Sequence, residues 1–160
     1  MNPENARAGA CRIRDASSAD LSTLVHFNLA MARETEAREL AQNTVNDGVR
    51  RLLEDPSRGR YLVATVDDNI VGQLMLTREW SDWRNGDFWW IQSVYVAPAF
   101  RRRGVFSTLF EHVRDQARDD SGVCGLRLYV DHANTRAQEA YRNLGAATTD
   151  YVLMEWDFTS

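Results

Sequence analysis

Three consecutive arginines and a glycine, Arg101-Arg102-Arg103-Gly104, stand between a run ending in Val94-Tyr95-Val96-Ala97-Pro98 and an apolar stripe that begins at Val105. A turn of this kind at the mouth of a helix can hold an anion. The first-turn N–H groups of a helix lack intrahelical partners and point outward, and the helix dipole adds positive potential. Glycine lets a ligand approach the backbone without a Cβ in the way. Guanidinium groups add charge and a bidentate match to phosphate oxygens. The segment therefore predicts a phosphate site, set against the simpler reading of a solvated basic turn. A second polar constellation lies downstream, Asn134-x-x-Ala137-x-x-x-Tyr141-x-x-Leu144-Gly145-Ala146, with Asn134 at a helix start and Tyr141 on that helix.

Counting narrows the chemistry. The chain has 160 residues, 19 basic and 23 acidic, and a formal net charge of −4. All the basic residues are arginine, which removes Schiff-base lysine chemistry and the lysine-dependent phosphate loop. Cys11 and Cys124 lie far apart and form no CxxC, so reduced thiols are expected rather than a disulfide scaffold. His26, His112 and His132 show no metal-ligand spacing, and no metal site is expected. Mild acidity argues against nucleic-acid binding. No apolar run approaches the ~20 residues of a membrane span, and the first residues lack the apolar stretch of a secretory signal. The expectation is one cytoplasmic domain over residues 11–160 behind a flexible tail of residues 1–10.

The elements that must position these groups follow from periodicity and turn chemistry. Cys11–Arg14 reads as a first strand, with Ser17, Ser18 or Asp20 capping the helix that follows. Leu21, Leu24, Val25, Leu29 and Ala32 recur at helical spacing, and Val45, Val49, Leu52 and Leu53 mark a second helix from Thr44 to Glu54. Strands are expected at 61–66 and 70–77 around an Asp67-Asp68-Asn69 turn, and at 88–96 after Asn85-Gly86. Val105, Leu109, Phe110, Val113 and Ala117 make a helical stripe, and Leu126, Leu128 and Val130 alternate as a strand. Asn134 starts a helix that Gly145 stops, and Val152, Met154, Trp156 and Phe158 alternate through an expected last strand.

Taken together, strand–RRRGVF–helix–strand–NxxAxxxYxxLGA resembles the GNAT superfamily of acetyl-CoA-dependent N-acetyltransferases, over about Phe88 to Ala146. The resemblance implies an α/β (α+β mixed) fold, a splayed central sheet of about six to seven strands with helices on both faces. It implies acetyl-CoA as acyl donor. The pantetheine arm would pair with the strand at Val94 and Val96, and the pyrophosphate would sit on the backbone of Arg101, Arg102, Arg103, Gly104, Phe106 and Ser107. Phe106 stands where the family usually has a small residue, so its side chain must turn into the core. Asn134 matches the residue that contacts pantetheine or the acceptor strand, and Tyr141 the general acid that protonates the departing thiolate. A phenol near pKa ~10 and a thiol near ~8.5 are matched closely enough for that transfer.

The base is less defined. Polyamine-type members carry Glu where this chain has Gln92, and an amide cannot take a proton. Glu79 is the carboxylate carried forward as catalytic, with Asp82, Glu34, Glu36 or a water chain as alternatives. The acceptor site is expected from Glu34, Glu36, Trp80, Asp82 and Gln92, because Trp beside carboxylates suits a cationic amine. Trp80, Trp89 and Trp90 have an equal alternative as core or dimer-interface packing. The functional expectation is acetyl transfer to a primary amine of a small molecule or peptide by direct attack in a ternary complex, with a homodimer as the assembly. Backbone amides of the central strand would polarise the thioester carbonyl. The competing class is a non-catalytic acyl-CoA-binding or regulatory module, for which Gln92 is the hint.

Overall fold

The computed structural model describes residues 10–159, so residues 1–9 of the expected tail lie outside the described residues. Two units are described separately, one running to Leu128 and one from Tyr129.

In the first unit, five strands form one open sheet in chain order: β1 (Arg12–Asp15), β2 (Arg60–Val66), β3 (Asn69–Ser81), β4 (Gly86–Val96) and β5 (Val123–Leu128). The first four are antiparallel neighbours, and β5 joins β4 in parallel. The turns that fix the hairpins use the residues that tolerate left-handed backbone. Asp67 and Asp68 sit at φ +48° and +62°, and Asn85 at +50°. Helix α1 covers Leu21–Glu36 and α2 covers Gln42–Glu54. Leu24 and Val25 of α1, Val49 of α2, and Tyr61 and Val63 of β2 make one buried cluster, with Met75 of β3 packed against it. Helix α3 (Val105–Asp119) lies on the opposite sheet face. A Cβ on Gly72 would meet Val105 Cγ1 at 3.2 Å and Leu109 Cδ1 at 3.5 Å, so the bare backbone there lets α3 settle onto β3. Leu62 and Leu74 are nearly or fully buried on that side, as is Leu109 of α3. Helices thus cover both faces, as the continuous burial of β2 from Tyr61 to Thr65 requires.

Two features differ from the sequence reading. Helix α1 continues past Ala32, the last residue of its apolar stripe, as far as Glu36, because left-handed Ala37 (φ +47°) is what ends it. The count of six to seven strands is not met: among the described residues the sheet has five. Val152–Phe158, the expected last strand, takes no strand conformation. An alternating pattern specifies which side chains share a face, but a strand forms only where a ladder partner exists. Among its described residues the second unit has one regular element, helix α4 (Thr135–Asn143), and Val152, Met154, Trp156 and Phe158 are exposed.

β1 is tied to the entry of α1 by an ion pair. Arg14 Nη1 and Nη2 donate to the two Asp20 carboxylate oxygens at 2.8 and 3.0 Å, and the Ser17 N–H donates to Asp20 Oδ2 at 2.8 Å. The Arg14 guanidinium holds the Asp20 carboxyl below its ordinary range, assisted by the Ser17 amide. Asp20→Asn should lower stability by about 1–3 kcal/mol, the scale for hydrogen bonds to a charged group. A depressed folded pKa gives stability that is present above the unfolded carboxylate pKa and lost as pH falls through the folded value. The Tm gap between wild type and Asp20→Asn, read by calorimetry, should therefore be full at pH 7 and shrink toward pH 3.

Candidate active site

The chemistry-bearing side chains gather on the α1/α2 face of β3 and β4. The β3–β4 ladder is regular from Ser81↔Gly86 to Met75↔Gln92 and resumes at Gln73↔Tyr95, so Leu74 alone faces both Ser93 and Val94. This is a β-bulge, which bends the strand and re-aims its peptide groups. Ser93 takes φ +50°, a left-handed conformation that costs a non-glycine residue energy. Behind the bulge is a buried polar group. Gln73 is fully buried and its Nε2 donates to the Ser93 carbonyl at 3.0 Å, while its Oε1 has no partner. Such an unmet acceptor costs about 1–3 kcal/mol. Asn28 of α1 donates to the Leu24 carbonyl at 2.9 Å and to the Tyr61 hydroxyl at 3.1 Å. Burial raises the Tyr61 phenol pKa, with hydrogen bonds to Asn28 and Ser93 opposing the rise.

The β4–β5 register ends at Ile91↔Leu128, so within this unit Gln92–Val96 continues beyond its last partner on that side. The strand then passes through a single 3-10 turn, Pro98–Phe100, into Arg101–Gly104 and α3. Gly104 is the N-cap at φ +79°, and no side chain caps the first turn of α3. Space is open there, with no heavy atom within 4 Å of where a Cβ would stand. Free first-turn amides, an open approach and positive potential are what a pyrophosphate needs. Phe106 turns its ring back toward Phe110, with centroids 6.4 Å apart.

The three arginines do not play one part. Arg101 Nη2 donates to Glu34 Oε2 at 2.6 Å, its Nε donates to the Val96 carbonyl at 2.9 Å, and its guanidinium lies 5.3 Å from the Tyr95 ring centroid. The Tyr95 hydroxyl donates to Glu34 Oε1 at 2.8 Å. Arg101 holds the Glu34 carboxyl below its usual pKa, while burial, and then Glu34, raise the Tyr95 phenol. Glu34 is thus tied to the turn that precedes α3. Arg102, at φ +62°, and Arg103, 5.5 Å from the Phe100 ring centroid, are exposed.

Farther down β3, Glu79 accepts from Arg127 Nη1 at 2.9 Å and from the Trp90 indole. Arg127 stacks 3.7 Å from the Phe88 ring centroid, and a Cβ on Gly125 would come within 2.7 Å of the Phe88 ring. Gln92 Nε2 donates to Thr77 Oγ1 at 2.6 Å. Glu34 meets β4 at Tyr95 and Glu79 meets it at Trp90, so at ~3.3 Å per residue the two carboxylates occupy stations more than ~10 Å apart along the strand. Glu36 is exposed at the end of α1, and Asp82 is exposed in the turn after β3, where its Oδ1 accepts from the Trp83 N–H. Trp80 is 61% exposed, whereas Trp89 is core. Among the described residues no group of His, Cys, Asp or Glu could hold a metal ion, and both cysteines are free.

In the second unit, Asn134 caps α4, its Oδ1 accepting from the Ala137 N–H at 3.1 Å, and Gly145 ends the helix turn at φ +96°. Tyr141 is half-buried, and that burial raises its phenol above the ordinary value. Sequence reasoning did not single out Gln73, Ser93, Asn28, Tyr61, Tyr95 or Arg127. The one available signal was Asn28, a lone amide within the apolar stripe of α1.

Solved structures share this fold. A possible acetyltransferase from Clostridium difficile 630 superposes with a TM-score of 0.89 at 43% identity, over 94% of this chain and 99% of that one. The aminoglycoside N-acetyltransferase AAC(6')-Iy, solved with CoA, shares the fold at a TM-score of 0.74 and 16% identity, over 99% of each chain. Bos taurus thialysine N-epsilon-acetyltransferase is 32% identical over 77 residues, 48% of this chain and 44% of that protein, so the match spans less than half of the curated relative. The profile of the acetyltransferase (GNAT) family matches residues 25–146, and the chain belongs to that family.

Gly104→Ala tests whether the turn needs glycine for conformation or for room. No atom obstructs a Cβ, so the variant should fold, with a loss of about 1–2 kcal/mol from the left-handed backbone alone. Thermal unfolding should show a Tm drop of a few degrees; an unchanged Tm would mean the turn relaxes freely.

Proposed function

We propose that this protein transfers an acetyl group from acetyl-CoA to a primary amine of a small molecule or peptide, by direct attack in a ternary complex. The observation that carries the reading is the continuous path along Gln92–Val96, which contains the bulge and has no strand partner on its β5 side within the first unit, to the uncapped N-terminus of α3. Val94 and Val96 offer strand backbone to a pantetheine arm. Amides from Arg101 through Ser107, with Arg102, Arg103, Gly104 and Phe106 between them, offer donors to a pyrophosphate. In this reading Arg101 acts through structure: its guanidinium, held by Glu34, fixes the turn, and Arg102 and Arg103 supply the outward charge. Acetyl-CoA brings the activated thioester and a stable leaving thiolate.

Backbone N–H groups of β4 after the bulge are placed to stabilise negative charge on a carbonyl oxygen. Tyr141, a phenol and so protonated at neutral pH, serves as the acid that gives its Oη proton to the leaving sulfur. Asn134 contributes its remaining amide N–H to the pantetheine or acceptor backbone. An alkyl ammonium is only about one part in a thousand neutral at pH 7, so a proton must leave the acceptor nitrogen. Glu79 is the carboxylate assigned to receive it, directly or through water. Gln92 lies beside the bulge on the acceptor approach, Trp80 and Asp82 lie toward the Gly86 end of the β3–β4 ladder, and Glu34, with Glu36 after it on α1, acts through its hold on Arg101. A homodimer and a cytoplasmic setting belong to the same reading.

A thermal-shift comparison with acetyl-CoA, CoA and ATP tests the donor. At ~100 times its dissociation constant a ligand stabilises by about 2.7 kcal/mol, a shift of several degrees. Shifts with both CoA species and none with ATP support the assignment, and no shift with either CoA species overturns it. Release of free thiol with a panel of amines then tests transfer. Tyr141→Phe should lower kcat about 100-fold while leaving acceptor KM within a few-fold; unchanged kcat would reassign the acid. Binding of acetyl-CoA without turnover on any amine would favour the non-catalytic module.

A further inference from the structure

The buried amide behind the bulge has no role in the binding or proton transfers above, and stability does not explain it. Gln73 is wholly buried in a strand whose neighbours Val71, Leu74 and Leu76 are apolar, and its Oε1 is left without a partner. Burying an unmet acceptor is destabilising, so an apolar side chain of the same length would serve the fold about as well. What the amide does make is one hydrogen bond, from Nε2 to the carbonyl of Ser93 at 3.0 Å. Ser93 is the residue of β4 with left-handed backbone, φ +50°, and it stands at the bulge. Strain of that kind persists only where its surroundings over-determine it. The Ser93 side chain is also met by Tyr61, whose hydroxyl Asn28 fixes from α1.

We propose that Gln73 is a positioning residue for acetyl transfer: its buried amide clamps the Ser93 carbonyl, holds the left-handed turn of β4, and thereby sets the direction of the backbone N–H groups that follow. The proposal rests on the reading of β4 as the strand that polarises the thioester carbonyl. Gln73 touches no reactant. It acts through Ser93, and the displacement it prevents is a small rotation of one peptide.

The test uses Gln73→Met, an apolar side chain of similar length, alone and combined with Ser93→Gly. Gln73→Met should lower kcat about 10- to 100-fold, the cost of misplacing a reacting group by an ångström or less. Acceptor KM should stay within about three-fold and Tm within a few degrees, since the core volume is kept, and acetyl-CoA KM should rise by less than kcat falls, since the pyrophosphate contacts are kept while Val94 and Val96 follow Ser93. Glycine adopts positive φ unaided, so in the Ser93→Gly background the same substitution should cost kcat much less. Hydrogen exchange of 92–96 should accelerate in Gln73→Met, which reads the clamp independently of activity. A folded Gln73→Met with kcat within two-fold of wild type and unchanged exchange overturns the proposal, as does an equal kcat loss whichever residue occupies 93. A wild type that neither shifts with acetyl-CoA nor releases thiol overturns the activity reading instead, and exchange at 92–96 then still decides whether the clamp exists.

Should Gln73→Met fail to fold, Gln73→Glu replaces it. Only its protonated acid can donate to the Ser93 carbonyl, so its kcat relative to wild type must fall as pH rises. A constant ratio across pH would overturn the clamp.

Discussion

One interruption in a hydrogen-bond ladder organises the molecule. Where Leu74 faces both Ser93 and Val94, β3 and β4 cannot continue as flat neighbours. The extra residue increases local twist and turns the last part of β4 out of register. Everything with chemical potential on the first unit is arranged about that point. Upstream lie Trp90, Gln92 and the Glu79–Arg127 pair, and downstream lie Tyr95, the arginine turn and the mouth of α3. Removing the bulge would shift the register by one residue and exchange the faces of everything after it.

The electrostatics are local rather than global. With a net charge of −4, the chain does not attract anions as a whole. The potential that favours them comes from a helix start and two exposed guanidinium groups, while the third is neutralised by Glu34. That pair is partly exposed, with side-chain exposures of 42% and 39%, so its Coulomb energy is small in water. Its value is geometric. It links the last turn of α1, the ring of Tyr95 and the carbonyl of Val96 into one rigid corner.

Much of this was legible beforehand, and the boundary has a physical cause. Helices α1, α2 and α3 follow from apolar spacing, and the Asp67-Asp68 and Asn85-Gly86 turns from residues that tolerate positive φ. The cap of α4 by Asn134 and its stop at Gly145 are local too. Contacts between distant positions were not legible: Glu34 and Arg101 are 67 residues apart, and nothing in either neighbourhood names the other. The bulge has no sequence signature, because Ser93 carries no glycine to mark its backbone. Gln73 was hidden for a similar reason, since one amide in the apolar run Ile70–Leu76 carries no local mark of the carbonyl it meets twenty residues on. The pattern at Val152–Phe158 was read as a strand for want of knowledge about its partner, which no single segment encodes.

The positive charge of this molecule resides entirely on guanidinium groups, without one ε-amino group. Guanidinium stays protonated at any physiological pH and has no nucleophilic lone pair to offer a thioester. The basic side chains are therefore inert toward an acyl donor of the kind proposed: they present no amine to be modified and cannot lose charge through such damage. Assays gain from the same property, because thiol released in the absence of added acceptor cannot come from lysines of the protein itself.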